Sequence, residues 1–394
     1  MSAEFAASMK GIVFHNSDRA YSGFTLFTPL NGTGVWLIDM EGRFVNYWET
    51  GYQPGCYGEL LPNGNLLYAG KVDNGPLTDL EGAGGVILEV DWDGKVVWEH
   101  RDPYLHHTFH RMKNGNTLVL KWVKVPDEIA AKVEGGDPGT ERRGTMWGDT
   151  IQEITPDGRV TWEWIAHEHL DPEVDETCPI CPRSEWTHAN ACVELSDGNI
   201  LTSFMKNNTI AIIDKKTGDI KWRWGEGELA HQHSPSMLNN GHILVFDNGL
   251  HQEGFPMGWS RVLEVDPDSG KVVWSYEGGD KTPQYFYSST MSSCQKLPNR
   301  NIFICEGTTG RLFEVTQKGE LVWEYVNNLP SYEPSPIKTK SCMVYSAYRY
   351  GIDYPGLKRP FELLGERPSA PEQEKPTSSK TEEAVKSRLE RLGY

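Results

Sequence analysis

Residues 240–247, NGHILVFD, and residues 261–276, RVLEVDPDSGKVVWSY, together spell out three strands and two tight turns. Asn240-Gly241 is a turn dipeptide, ILVF is a short run apolar on both faces, and Gly270 sits in a second turn before a strand carrying Trp274. The same phrase recurs along the chain. Turns at Asn63-Gly64, Asn114-Gly115, Asp197-Gly198 and Asn299-Arg300 precede NLLYAG, NTLVLKW, NILTSF and NIFICE. The hairpins VILEVDWDGKVVWEH, TIQEITPDGRVTWEW, IAIIDKKTGDIKWRW and RLFEVTQKGELVWEY follow them, each with glycine in its turn. Repeats of four short strands imply blades arranged around a channel.

This gives five complete blades. FTLFTP and GVWLIDMEGRFVNYW near the N-terminus supply three strands without an inner partner, and SCMVYSAYRY near residue 345 supplies a lone strand. Pairing them completes a sixth blade and removes the open edges of a linear array. The expectation is therefore an all-β, six-bladed β-propeller over residues 23–357, closed by pairing of N-terminal strands with a C-terminal inner strand. Residues 1–22 form an N-terminal segment. Residues 358–394, rich in Pro, Ser, Glu and Lys, read as a tail with a short helix.

The 394 residues carry 38 basic and 55 acidic side chains, a net charge of −17, which argues against a nucleic-acid partner and against an anionic membrane surface. MSAEFAASMKGIVF has no charged segment followed by an apolar core, so a cytoplasmic, soluble protein is expected. The seven cysteines are too sparse for a disulfide framework and should be mostly free thiols. The acidic surface has room for a homodimer contact. Trp98, Trp162, Trp164, Trp222, Trp224, Trp274 and Trp323 recur once or twice per repeat, which assigns them to packing between blades rather than to a stacking platform.

Aligning the repeats on their turns brings histidines into register. Seven residues before the turn stand Cys56, His107, Asn190, His233 and Ser292; nine before stand Pro54, Leu105, His188, His231 and Thr290. Positions two apart share one face of a strand, so both rows should face the channel where the innermost strands begin. His106, His110, His167, His169, His242 and His251 are expected to be structural. Two long insertions, residues 127–147 and 166–185, belong to links on that same end. Lys121, Lys124, Arg142, Arg143 and Arg183 lie in or beside them and could receive an anionic substrate. Cys178-Pro-Ile-Cys181, lacking a second ligand pair in sequence, reads as a loop staple or plain thiols.

In this order, GFTLFTP with GVWLIDMEG, the block His106–Asn116, WTHAN at Trp186–Asn190, HQHSPSMLNNGHILVFDNG at His231–Gly249 and AYRYGIDYPGL resemble the arylsulfate sulfotransferases. The likeness spans roughly Gly23 to Leu357. It implies transfer of a sulfuryl group between phenolic small molecules through a histidine, with no cofactor and no nucleotide donor. It further implies His233 as the sulfated nucleophile, with His188, Asn190 and His107 completing the catalytic set. His231, Lys206, Lys121, Arg183 and Ser292 are the candidate substrate-binding residues. Where the family carries an arginine, this chain reads SFMKNNT, so Met205 or Lys206 takes that place.

Two other readings stand beside it. Imidazoles from several blades also bind a divalent transition metal, with His107, His188, His231 and His233 as ligands, for a lyase, hydratase or oxygenase reaction. The third reading is a non-catalytic propeller that binds a small ligand.

Overall fold

The computed structural model describes residues 11–30, 32–53, 56–252, 258–278, 286–329, 331–332 and 340–357. Its six antiparallel blades, five of four strands and one of five, form the expected propeller. From the axis outward, the first blade runs Val344–Gly351, Gly23–Pro29, Gly34–Ile38, Phe44–Glu49. The second runs Gly58–Leu60, Leu66–Lys71, Gly85–Val90, Val96–Arg101, and the third Leu105–Arg111, Thr117–Lys124, Trp147–Ile154, Val160–Ile165. The fourth runs Ala189–Glu194, Ile200–Phe204, Thr209–Ile213, Ile220–Trp224, and the fifth His233–Met237, Ile243–Asp247, Arg261–Asp266, Lys271–Tyr276. The sixth runs Ser293–Lys296, Ile302–Glu306, Arg311–Val315, Leu321–Val326. Among the described residues, no helix is long and apolar enough to cross a membrane. The tail expected over residues 358–394 lies outside the described residues.

Burial follows position in the blade. Second strands such as Ile200–Phe204, Ile243–Asp247 and Ile302–Glu306 are buried throughout, because neighbouring blades cover both faces, and their sequences are near-continuous apolar runs. The fourth strands Val96–Arg101 and Ile220–Trp224 have no fully buried residue and carry charge, whereas Phe44–Glu49 and Val160–Ile165 bury their tryptophans Trp48 and Trp164. The turn glycines adopt a left-handed backbone, φ +87° at Gly64 and Gly115 and +85° at Gly241, and Arg300 takes the equivalent place at +72°.

The tryptophans of the fourth strands hold the blades to one another. Each indole N–H donates to a backbone carbonyl in the outer hairpin turn of the next blade: Trp48 to Asp91, Trp98 to Pro156, Trp162 to Lys215 and Trp164 to Gly218. Trp222 reaches Pro267, Trp224 reaches Gly270, and Trp274 reaches Gln317. Trp323 of the sixth blade reaches Met40 of the first at 2.8 Å, so the clasps run once around the ring in a single sense. Their role is packing, as the recurrence indicated.

Closure pairs Gly23–Pro29 with Val344–Gly351 as expected. Arg349 on the closing strand is fully buried, donates to Thr25 Oγ1 and Tyr21 O at 2.8 Å each, and lies 4.4 Å from the centroid of the Trp323 ring. The segment assigned to the N-terminus contributes more than anticipated. Gly11–His15 pairs with Leu321–Val326 as a fifth, outermost strand of the sixth blade.

Candidate active site

The two insertions meet on one end of the channel. Gly135–Asp137 from the first pairs in parallel with Thr177–Pro182 from the second. Arg183 secures the joint: its guanidinium donates to the carbonyls of Ala130, Val133 and Gly135 and pairs with Glu141. It is thus committed within the loops rather than aimed at the imidazoles. Lys121 pairs with Asp102, Lys124 with Asp127 and Arg142 with Asp79, so these cations are likewise engaged elsewhere.

Beneath the loops the inner strands are irregular at one level. Pairing register shifts between Ala189 and Ala191, around Asn190; between His233 and Ser236; and opposite the Leu105–Phe109 stretch that holds His107. Such bulges re-aim side chains at the end of a sheet. The non-glycine residues at this end that adopt left-handed backbone include His188, His231, Ser234, His251, Met291 and Ser292. Strain of this kind persists where neighbours enforce it. Asp149 does so at His188, accepting from the Thr187 hydroxyl and from the Ala189 amide on either side of it.

Three of the expected imidazoles share this place. His107 and His188 have ring centroids 5.8 Å apart, and His233 lies in the electrostatic field of His188. All three are buried, as is Asn190. A cavity of about 70 Å³ adjoins His233 and is lined among others by Asn190, Ser292, Tyr345 and Tyr348, with neither His107 nor His188 in its wall. The Asn190 amide donates to Gln232 O at 2.8 Å, while its Oδ1 is buried without a partner. Ser292 Oγ is held between Ser288 Oγ and the Gly307 amide.

Each imidazole has its tautomer set. Asn248 Nδ2 donates to the carbonyls of Ser288 and Met291, so its Oδ1 is the atom facing His233 Nδ1 at 2.8 Å. His233 therefore carries its proton on Nδ1 and leaves an Nε2 lone pair free. Burial depresses its pKa to about 4, so the ring is neutral at pH 7. His107 directs Nδ1 to Gly82 O at 3.2 Å, and burial together with the neighbouring imidazoles pushes its pKa well down.

His188 differs. Burial alone would lower its pKa, but Glu185 Oε1, 2.9 Å from its Nδ1, outweighs desolvation and raises it. Burial would raise the Glu185 carboxyl, but His188 and Lys206 beside it outweigh burial and hold it well below the usual range. That carboxylate also accepts from Trp122 Nε1 at 2.8 Å and lies 3.6 Å from Lys206 Nζ. Lys206, which donates to Pro182 O, thus sits behind Glu185 and acts on the pocket through it. Glu185 and Asn248 were not singled out by the repeat pattern. The first comes from an insertion, and the second sits just past the end of a second strand.

His231 parts company with its row. Its left-handed backbone (φ +60°) and that of Ser234 (+55°) break the two-residue alternation, and its ring turns toward Cys181 and His251. The set His107, His188, His231 and His233 therefore does not converge on one point. The histidines expected to be structural include His106, packed at a tilt against Trp122 with Nε2 3.0 Å from Asp149, and His242, bonded to Glu264.

Among solved structures, the chain is similar to a Bacteroides caccae protein of unknown function, with a TM-score of 0.52 at 14% identity over 83% of this chain and 98% of that one. That likeness concerns the fold. A streptogramin B lyase gives a TM-score of 0.46 at 14% identity, covering 86% of this chain and 93% of its own. An inactive virginiamycin B lyase from Staphylococcus aureus with quinupristin gives 0.45 at 12%, covering 84% and 96%. A comparison with curated proteins finds no match. The sequence model of the arylsulfotransferase (ASST) family matches residues 59–328, which take in His107, His188, Asn190 and His233, and on this match the chain belongs to the arylsulfotransferase family.

Proposed function

We propose that the protein transfers a sulfuryl group between phenolic small molecules through N-sulfated His233. The observation that carries this reading is the neutral His233 ring, held by Asn248 with its Nε2 free beside the carboxylate-backed His188. In the first half-reaction, Nε2 attacks the sulfur of an aryl sulfate. An N–S bond forms, the bond from sulfur to the aryl oxygen breaks, and the electron pair leaves on that oxygen. His188, its proton affinity raised by Glu185, gives its Nε2 proton to the departing phenolate.

In the second half-reaction His188 takes the proton of an acceptor phenol. The phenol oxygen attacks sulfur, the N–S bond breaks, and the pair returns to His233. The unpartnered Asn190 Oδ1 is an acceptor for the incoming hydroxyl, and His107 offers a second one through Nε2. The imidazoles supply nucleophile and proton transfer, so the cycle needs no organic cofactor.

The test is transfer from 4-nitrophenyl sulfate to phenol, with mass analysis of the quenched protein in the absence of acceptor. The expected result is one added SO3 unit on the peptide bearing His233 and loss of turnover in His233→Ala. Near-normal turnover by a folded His233→Ala protein would refute the assignment.

A further inference from the structure

The Cys178-Pro-Ile-Cys181 pair acquires in the fold the two partners it lacks in sequence. Cys178 Sγ lies 3.4 Å from His251 Nδ1, Cys181 Sγ 3.4 Å from His231 Nε2 and 3.5 Å from His251 Nδ1. One ligand atom from each residue falls within 4.8 Å of every other, and among the described residues these four are the only such group of three or more His, Cys, Asp or Glu side chains. Both thiols are free and buried, and neither is in a disulfide. A tetrahedral centre with metal–sulfur bonds of about 2.3 Å and metal–nitrogen bonds of about 2.0–2.1 Å requires sulfur–nitrogen separations of roughly 3.6 Å. The three observed separations match it.

We infer that Cys178, Cys181, His231 and His251 form a structural zinc site that fastens the second insertion to the fifth blade. Two thiolates and two imidazoles in tetrahedral array favour Zn²⁺ over the oxygen-seeking Mg²⁺ and Ca²⁺. Four protein ligands leave no open position, so the metal holds structure rather than performing chemistry.

The ligands come from three separate segments. The cysteines lie on Thr177–Pro182 of the insertion, His231 immediately before the inner strand of the fifth blade, and His251 in the link beyond its second strand. The surroundings are prepared for this. The His231 amide donates to Asn208 Oδ1, the Gly249 amide to Ala230 O, and the Cys178 amide to Lys206 O. A β-carbon at Gly249 would stand 1.9 Å from Trp259 O, so the link carrying His251 requires glycine there.

Zinc at this point fixes both sides of the channel pocket. Glu185 lies four residues after Cys181 on the same insertion, and His233 two residues after His231. The inference concerns a site separate from sulfuryl transfer and stands whether or not that activity is found.

The experiment is elemental analysis of the full-length protein by plasma mass spectrometry, with His251→Ala and Cys178→Ser/Cys181→Ser as variants. His251 is exposed, so its replacement leaves the buried core intact. Expected are one zinc per chain in the wild type, much less than one in either variant, and a lower thermal midpoint after chelation. Cobalt exchanged for zinc should give the intense visible bands of a tetrahedral thiolate site. A metal-free wild type that takes up neither ion, a Cys178–Cys181 disulfide in protein purified under reducing conditions, or unchanged zinc in a folded His251→Ala protein would each overturn the site.

Discussion

Replacing Glu185 with glutamine separates proton transfer from pocket architecture. The amide keeps an oxygen for Trp122 Nε1 and His188 Nδ1, so the ring stays in place while the buried negative charge disappears. Two unit charges about 4 Å apart interact by roughly 4 kcal/mol at an effective dielectric near 20. Losing that attraction removes what raises the His188 pKa and leaves burial, which favours the neutral ring.

A neutral His188 has no Nε2 proton to spare for a leaving phenolate. A donor with a basic leaving group depends on that proton, and 4-nitrophenolate, a stable anion, depends on it little. Transfer from phenyl sulfate should therefore fall by about 10²–10⁴-fold, and transfer from 4-nitrophenyl sulfate by no more than roughly tenfold. The assay is kcat/KM for both donors with one acceptor, on protein whose thermal unfolding confirms the fold. Equal losses on the two donors would assign Glu185 to structure alone, and an unchanged phenyl sulfate rate would remove His188 from the proton path.

Asn248→Leu, similarly branched though larger, removes the acceptor that fixes the His233 tautomer and should lower kcat by about 10–100-fold. This corresponds to the roughly 1.5–3 kcal/mol of a hydrogen bond to a ring that becomes positive when sulfated; a smaller effect than threefold in kcat would show that Nδ1 needs no partner. Acid should destabilise the fold through His233, because its folded pKa of about 4 lies below the unfolded 6.5. Its contribution is full above pH 6.5 and lost as pH falls toward 4, by about 3 kcal/mol. His107 acts in the same direction and His188, with its raised pKa, in the opposite one. Urea midpoints at pH 7 and pH 4.5 should consequently drop further for the wild type than for His233→Asn, and equal drops would contradict the depressed value.

Much of the fold is legible in the sequence because a blade is a local object. The turn at Asn240-Gly241, the apolar run after it and the hairpin around Gly270 lie within forty residues, and the turn fixes the register of every repeat. That register also aligns His107, Asn190 and His233 at one level of the inner strands. It misplaced His231 because alternation of faces presumes extended backbone, and left-handed residues at 231 and 234 rotate the side chain away. Glu185 occupies no repeat position, so only the packing of the insertion against Trp122 reveals it. His231 and His251 lie 50 and 70 residues beyond Cys181, a separation from which spacing rules infer no shared ligand. The outer strand at Gly11–His15 is five residues long, and its pairing with Leu321–Val326 is decided by an edge some three hundred residues away.

The indole clasps make each blade a cassette with two unlike couplings: a donor on its outer strand and an acceptor in its outer turn. Any cassette can follow any other, because the acceptor is backbone and asks nothing of the side chain it belongs to. Loss of one cassette leaves its neighbours' donor and acceptor matched in kind but separated by the space of the missing blade. Blade number can therefore change only in whole units and with a new curvature for the entire ring, while loop length and sequence on the channel ends remain free to vary. The outer rim conserves the architecture, and the chemistry is left to the loops and to the first residues of each inner strand.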